Sequence, residues 1–481
     1  MRPRSVSTRN LIRICSTFIS LSICLLSCKK LVDVAAPDTQ LTNTNVYSTD
    51  ETAIAAMNGV YTHISASYLF SGGITSMSLF PGLSADELNV VTSGGAMFID
   101  YYTNNLSNTS TGSSDFWNNI YPLVYDVNSI ITGLNGASGL TPAIKKQLMG
   151  EAEFMRAFFY FYLVNLYSDV PLIITTNYAA NAIMARTPQA QVWQQIISDL
   201  KDAESLLSPN YLDGTLLNVT TTRVRPTKWS ALALLARVYL YTGDWSDAES
   251  QADSVLSNSG TFNLLMNLND VFLKDSAETI WELQPVNSNQ NTQEASFFIL
   301  SGAPNFLFPV YLDSMLVNAF EPGDQRKVNW VDSVIAGGTY YYAYKYKAGY
   351  STSNNLEDEV VFRLAEQFLI RAEARARQGN IANALIDLNT IRNRAGLSSL
   401  GDSNESSLLL DILHERQVEL FTEWGHRWLD LKRYGVINSV MGSPGNECSK
   451  KSGTWDSAAQ LYPIPLFDLQ HDVNLLQNTG Y

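Results

Sequence analysis

One pattern occurs twice in this chain, and it restricts the fold more than any other feature. Residues 235–248 and residues 370–384 each read as helix, glycine turn, helix. Their anchors coincide: Ala236 with Ala372, Gly243 with Gly379, and Ala248 with Ala384. Small alanines stand where two helices must approach closely, and glycine stands where the chain reverses. Such a unit cannot bury its apolar face alone, so further helix pairs must stack against it.

The remaining sequence supplies them. Ile54, Met57, Val60, Tyr61 and Ile64 recur at helical spacing over Glu51–Ser67. Helices are also expected over Asp115–Leu134, Thr141–Tyr167, Thr187–Leu207, Thr227–Tyr241, Asp244–Leu256, Glu359–Gln378, Ile381–Ala395 and Ser407–Tyr434, the last with a break near Gly425. Thr141-Pro142 is an N-cap followed by proline at the first helical position. Phe154, Phe158, Phe159, Phe161 and Tyr162 make the Thr141–Tyr167 helix apolar on most sides, which argues for burial. Each repeat resembles a tetratricopeptide unit, but the two are not contiguous. The expected fold is therefore mainly α, a tetratricopeptide-like helix-pair scaffold with a large irregular layer of loops and short strands. That layer is assigned to residues near 84–111 and 260–356, which lack long amphipathic runs.

The N-terminus carries a different kind of signal. Arg2, Arg4, Arg9 and Arg13 precede the mostly apolar Ile14–Leu26, with no acidic residue among them. That run is shorter than the ~20 residues a membrane-spanning helix needs and fits a removed secretory signal, residues 1–27. It ends in Leu25-Leu26-Ser27-Cys28, which resembles the lipobox of bacterial lipoproteins. The small residue before the cleavage point admits the peptidase, and the Cys28 thiol accepts the diacylglycerol. An ordinary signal peptide that happens to contain Cys28 is the alternative. Residues 28–45 then read as a tether, and 46–481 as a single binding domain. Cys15 and Cys24 leave with the signal and Cys448 stands alone, so no intrachain disulfide is expected. The core must hold the fold, as it can in a chain of this length.

Composition excludes several functions. The formal net charge is −14, and removal of residues 1–27, with four Arg and no acid, leaves −18. Such a surface repels nucleic-acid phosphates and anionic lipid, so no nucleic-acid partner is expected, and the lipid anchor is the expected membrane contact. The four histidines, His63, His414, His426 and His471, lack metal-ligand spacing, and no phosphate-cradling loop or nucleophile elbow occurs. Asp86-Glu87 and Glu357-Asp358-Glu359 are adjacent in sequence, which does not set the separation of about 5–9.5 Å that two glycosidase carboxyls require. The second cluster is read as charge at the N-terminus of a long helix. No catalytic residue, cofactor or metal is expected. Glu415, Arg416, Glu419, Glu423, Arg427, Asp430 and Arg433 read as an ion-pair network that packs Trp424 and Trp428 into the stack, with an ion-binding or docking surface as the other reading.

Taken in order, several motifs resemble the SusD/RagB-like nutrient-binding outer-membrane lipoproteins. They include Asp115-Phe116-Trp117, Gly150-Glu151-Ala152-Glu153-Phe154-Met155-Arg156-Ala157 and Asp169-Val170-Pro171-Leu172. Further along come Arg225-Pro226-Thr227-Lys228-Trp229, Gly323-Asp324-Gln325-Arg326, Asn389-Thr390-Ile391-Arg392, Glu423-Trp424-Gly425-His426-Arg427 and Tyr462-Pro463-Ile464-Pro465. The resemblance spans the whole chain. It implies a non-catalytic lid on a SusC-like TonB-dependent transporter in the outer membrane, exposed at the cell surface, that captures an oligosaccharide, or in some members a peptide. The helical face would dock the transporter and the irregular layer would hold the ligand. Lys29-Lys30 departs from the acidic run associated with surface export.

A pyranose asks for a flat aromatic beneath its C–H face and amides around its hydroxyls. Aromatics in polar loops are the candidates: Tyr101 and Tyr102 with Asn89 and Asn104 in one stretch, and Phe297 and Phe298 with Asn291 in another. Tyr340 opens a third, whose alternation through Tyr346 predicts a strand with one tyrosine face buried. A lipid-anchored scaffold that binds only protein would instead present a flat apolar helix face. A secreted glycosidase would need two acids facing each other across a cleft.

Overall fold

The glycine-turn pairs fold as antiparallel helices. A computed structural model describes residues 46–66, 75–109, 111–286, 291–349, 354–401, 404–442, 451 and 454–481. The signal segment, Cys28, the tether and Cys448 lie outside the described residues. The long helices are α1 Asp50–Ala66, α2 Thr111–Gly136, α3 Pro142–Tyr167, α4 Gln189–Leu206, α5 Lys228–Thr242, α6 Trp245–Leu256, α7 Leu364–Arg377, α8 Ile381–Arg394, α9 Glu405–Glu419 and α10 His426–Arg433. Gly243 and Gly379, at φ 83° and 77°, make the two turns in the left-handed conformation that glycine adopts without a Cβ penalty. Ala236, Ala248, Ala372 and Ala384 are all fully buried. Neighbouring contacts run from α2 to α3, α4, α5, α6, α7 and α8 in chain order, and α9 covers α7 and α8. The insertion between α6 and α7 thus leaves the stack continuous.

Local chemistry sets the helix ends. Pro142 occupies the first helical position as expected, but the Thr141 side chain does not cap its own helix. Its amide and hydroxyl donate instead to the Asp50 carboxylate, at 2.9 and 2.7 Å, which pins α1 to the start of α3. At the start of α5 the Thr227 amide donates to the Ser230 hydroxyl at 3.1 Å. The helix expected over Ser407–Tyr434 divides into α9 and α10, and a Cβ on Gly425 would lie 2.9 Å from the Pro81 side chain. From Phe154 to Tyr167, α3 is buried apart from the half-buried Asn165, as its aromatic content demands.

The irregular layer contains six strands among the described residues: β1 Leu88–Val90, β2 Thr279–Leu283, β3 Val310–Leu312, β4 Val331–Ile335, β5 Thr339–Ala343 and β6 Glu359–Arg363. They pair antiparallel as β1–β3, β2–β6 and β4–β5. The strand expected from Tyr340 through Tyr346 appears as β5 but ends at Ala343, and no single tyrosine face is buried: Tyr342 and Tyr346 are buried, as are Ala343 and Lys345, while Tyr340 and Tyr344 are half-buried. Two other expectations are corrected. Glu359–Arg363 is a strand rather than the first turns of a helix, because Val360, Val361 and Phe362 are buried on both faces against β2 and the core. Glu357, Asp358 and Glu359 are accordingly buried rather than arrayed at a helix N-terminus. Residues 96–102, assigned to loop, form a short helix.

A lattice of buried ion pairs joins layer and scaffold. Glu419, at the end of α9, accepts from Arg363 of β6 at 2.5 Å, from Arg326 at 3.0 Å and from Arg394 of α8. Arg394 also holds Glu278 just before β2, at 2.9 Å, and Arg363 chelates Glu423 at 2.7 and 2.8 Å. Lys345, after β5, donates to the Glu419 and Phe421 carbonyls at 2.9 and 2.8 Å. Arg416 and Arg433 share Asp430 at 2.7 and 2.8 Å, while Arg427 grips both oxygens of Asp86 at 2.7 Å. The charged set on the last helices is therefore an internal network. Burial alone would lift the Glu419 carboxyl, but the Arg394, Arg363 and Arg326 guanidiniums hold it well below the usual carboxylate range. Glu87 behaves oppositely: burial, and then the neighbouring Asp86, push it up to about 8.

Two outcomes are expected. Glu419→Ala leaves three buried guanidiniums short of an anion and should cost about 3–5 kcal/mol in urea unfolding; a loss below about 1 kcal/mol would show that the lattice does not hold the fold. Glu87 takes up a proton on folding, so its contribution is complete below the ordinary carboxyl value of 4.5 and fades as pH rises through about 8. The urea midpoint should therefore fall more between pH 6 and 9 in the native protein than in Glu87→Gln, and parallel slopes would contradict this.

Candidate functional site

Strand alternation builds one aromatic edge. Leu88 and Val90 of β1, with Val310 and Leu312 of β3, are buried, so Asn89 and Tyr311, directly opposite in register, take the other face. The Tyr311 ring meets Tyr340 of β5 edge-on, with centroids 5.3 Å apart and planes at 84°. Tyr341, next along β5, takes the opposite face and is 37% exposed. Before β3 the chain carries Phe306 and Leu307 outward, 69% and 70% exposed. Asn305 shapes that turn by accepting from the Leu307 amide at 2.9 Å, and Val91 fixes its base by donating to the Pro309 carbonyl at 2.9 Å.

The chemistry of this edge is neutral. Neither the Tyr311 nor the Tyr340 hydroxyl bonds another described residue. Asn89 donates one amide hydrogen to the buried Asp313 carboxylate at 3.2 Å and accepts from the Val90 amide, which leaves its second N–H to donate. Asp313 also caps the helix Ser314–Ala319. Flat ring faces held by strands, with phenol and amide groups beside them, can stack on a C–H face and bond hydroxyls.

The other candidates divide. Tyr102 is half-buried with the Lys451 ammonium 4.8 Å from its ring centroid. Asn104 sits in a left-handed turn at φ 53° and donates to the Ser84 carbonyl at 3.0 Å. The expected exposure does not hold at Tyr101, Phe297, Phe298 or Asn291. Tyr101 stacks on Phe80 at 4.0 Å and meets Tyr462 at 5.3 Å, fully buried. Phe297 and Phe298 are buried on the short helix Gln293–Phe298, with Phe297 against Phe98 at 6.2 Å. Asn291 clasps the backbone of Asn354, Leu356 and Glu357. All four lie on or beside short helices whose inner faces meet the core. Asn89 and Tyr340 are thus brought together across Tyr311, which the sequence reading had not singled out, nor Phe306. The apolar Phe306-Leu307-Phe308 between Asn305 and Pro309 was the available signal.

Comparison with known proteins fits this architecture. A sequence model described as the SusD family matches residues 323–481, and one described as starch-binding associating with outer membrane matches residues 81–240. A SusD-like protein P2 from Formosa agariphila is 28% identical over 97% of this chain and 99% of its own length. The starch-binding protein SusD of Bacteroides thetaiotaomicron is 22% identical over 75% of this chain and 77% of its own. The solved structure of a laminarin binding SusD-like protein superposes with a TM-score of 0.76 at 24% identity, covering 90% of this chain and all of that one. With the two sequence models falling on opposite halves of one continuous helical stack, the chain belongs to the SusD/RagB family.

Proposed function

We propose that the protein captures a neutral glycan at the outer membrane, on the edge formed by Asn89, Tyr311 and Tyr340, and passes it to a SusC-like TonB-dependent transporter. The observation that carries this reading is the strand-held pair Tyr311–Tyr340, whose hydroxyls have no partner among the described residues. Phe306 and Leu307, projecting from the adjoining loop, extend the apolar surface for a chain of several sugars. The names of relatives that bind starch and laminarin support the same ligand class. Lipidation at Cys28 would hold the protein on the membrane, and the helical stack would face the transporter.

Isothermal titration of the mature protein against laminarin, soluble starch and oligopeptides tests the ligand class. Binding to a glycan is expected, and binding to peptides alone would replace this reading with an oligopeptide one. Tyr311→Ala and Tyr340→Ala should each weaken glycan binding by roughly tenfold, a change of about 1.4 kcal/mol, while the thermal midpoint stays near that of the native protein. Tyr101→Ala and Phe298→Ala should act differently, lowering stability by about 3–5 kcal/mol because each empties a buried aromatic site. Affinity unchanged in both Tyr311→Ala and Tyr340→Ala would remove the edge from consideration.

A further inference from the structure

A second cleft shares no residue with this edge. It lies between the C-terminal half of α1, the turn around Asp213 and Gly214, the extended segment through Val224 and Arg225, and the chain leaving β2 at Gln284 and Pro285, and it encloses about 540 Å³. That falls within the range of about 300–1,000 Å³ typical of small-molecule sites.

Its cation is already matched from within. Arg225 donates to Glu151 at 2.8 Å and to the Asn58 carbonyl oxygen, and Glu151 also accepts from the Tyr61 hydroxyl at 2.9 Å. Asp213 accepts from the Thr215 hydroxyl at 2.6 Å and the Asn218 amide at 3.0 Å. An anionic ligand would find no unmatched cation here. Neutral groups remain. Thr62, Ser65 and Gln284 make no side-chain hydrogen bond among the described residues, although Ser65 is only 5% exposed. Asn58 keeps its amide hydrogens, since its oxygen faces Arg225. Leu212, Val224, Leu283 and Pro285 supply apolar wall between them. Hydroxyl and amide groups interleaved with aliphatic surface match a solute that alternates hydroxyls with C–H faces.

We propose that this cleft is a second saccharide subsite, which holds a neutral sugar unit through Asn58, Thr62, Ser65 and Gln284. It rests on the glycan reading above and extends it from one contact point to two. Two sites on one rigid body favour a polymer over its fragments, because the second contact forms at high effective concentration.

The test uses the full mature chain with laminarin and soluble starch as polymers and with short oligosaccharides made from each. Thr62→Trp fills the cleft from an exposed helix position, and Gln284→Ala removes a hydrogen-bonding group. Each should lower polymer affinity by roughly tenfold or more while oligosaccharide binding at Tyr311 and Tyr340 persists. Hydrogen exchange should show glycan-dependent protection at residues 58–65 and 211–225. Polymer affinity unchanged in both variants, with no such protection, overturns the cleft and leaves the tyrosine edge standing. Protection there that survives Tyr311→Ala and Tyr340→Ala supports the cleft as a site separate from the edge. Absence of any glycan binding by the native chain defeats both.

Discussion

The guanidinium–carboxylate lattice centred on Glu419 ties several segments of the irregular layer to the helical stack. Its members come from α8, α9, β6, the residues before β2, the short helix that begins at Gln325 and the segment after β5. Buried ion pairs are weak sources of net stability, since desolvation offsets much of the attraction. Their geometric demands are strict, however, because each fork of an arginine must meet a carboxylate in its own plane. The lattice therefore acts chiefly as a register. A β6 shifted by one residue would withdraw Arg363 from Glu419 and Glu423 together, and both would be left charged in the interior.

Above that register the layer needs little regular structure. Three two-stranded pairs suffice because each strand has its inner face closed by the scaffold or by aromatic contacts. Trp281 meets Phe154 and Phe158 of α3 at 5.1 and 5.4 Å, and Trp330 donates its indole N–H to the Leu268 carbonyl at 2.9 Å. The β2–β6 pair is buried on both faces, and outer faces are left to the other two pairs. Asn89 and Tyr311 stand on such a face, one residue away from buried Leu88, Val90, Val310 and Leu312.

The helical stack was legible in sequence because its determinants are local: period, caps and glycine turns all lie within a few residues of what they control. Gly243 and Gly379 are the plainest case. The ion network was legible in composition but not in pairing, since Arg363 and Glu419 meet only in three dimensions. The binding edge was harder still. Tyr101 and Tyr340 look alike in sequence, each an aromatic in a polar setting. One is sealed by Phe80 and Tyr462, the second of which lies near the far end of the chain, and the other is left half-open beside Tyr311. Nothing near either tyrosine encodes that difference. The strand at Glu359–Arg363 was missed for a related reason, because complete burial erases the alternation by which strands are recognised.

The β1–β3 pair joins segments from opposite ends of the chain's midsection, Leu88–Val90 with Val310–Leu312. Contacts of such long sequence separation close late, after local helices have formed. The proposed recognition edge would consequently act as a checkpoint on maturation: a molecule whose scaffold is complete but whose distal segments have not met has no Asn89–Tyr311 face.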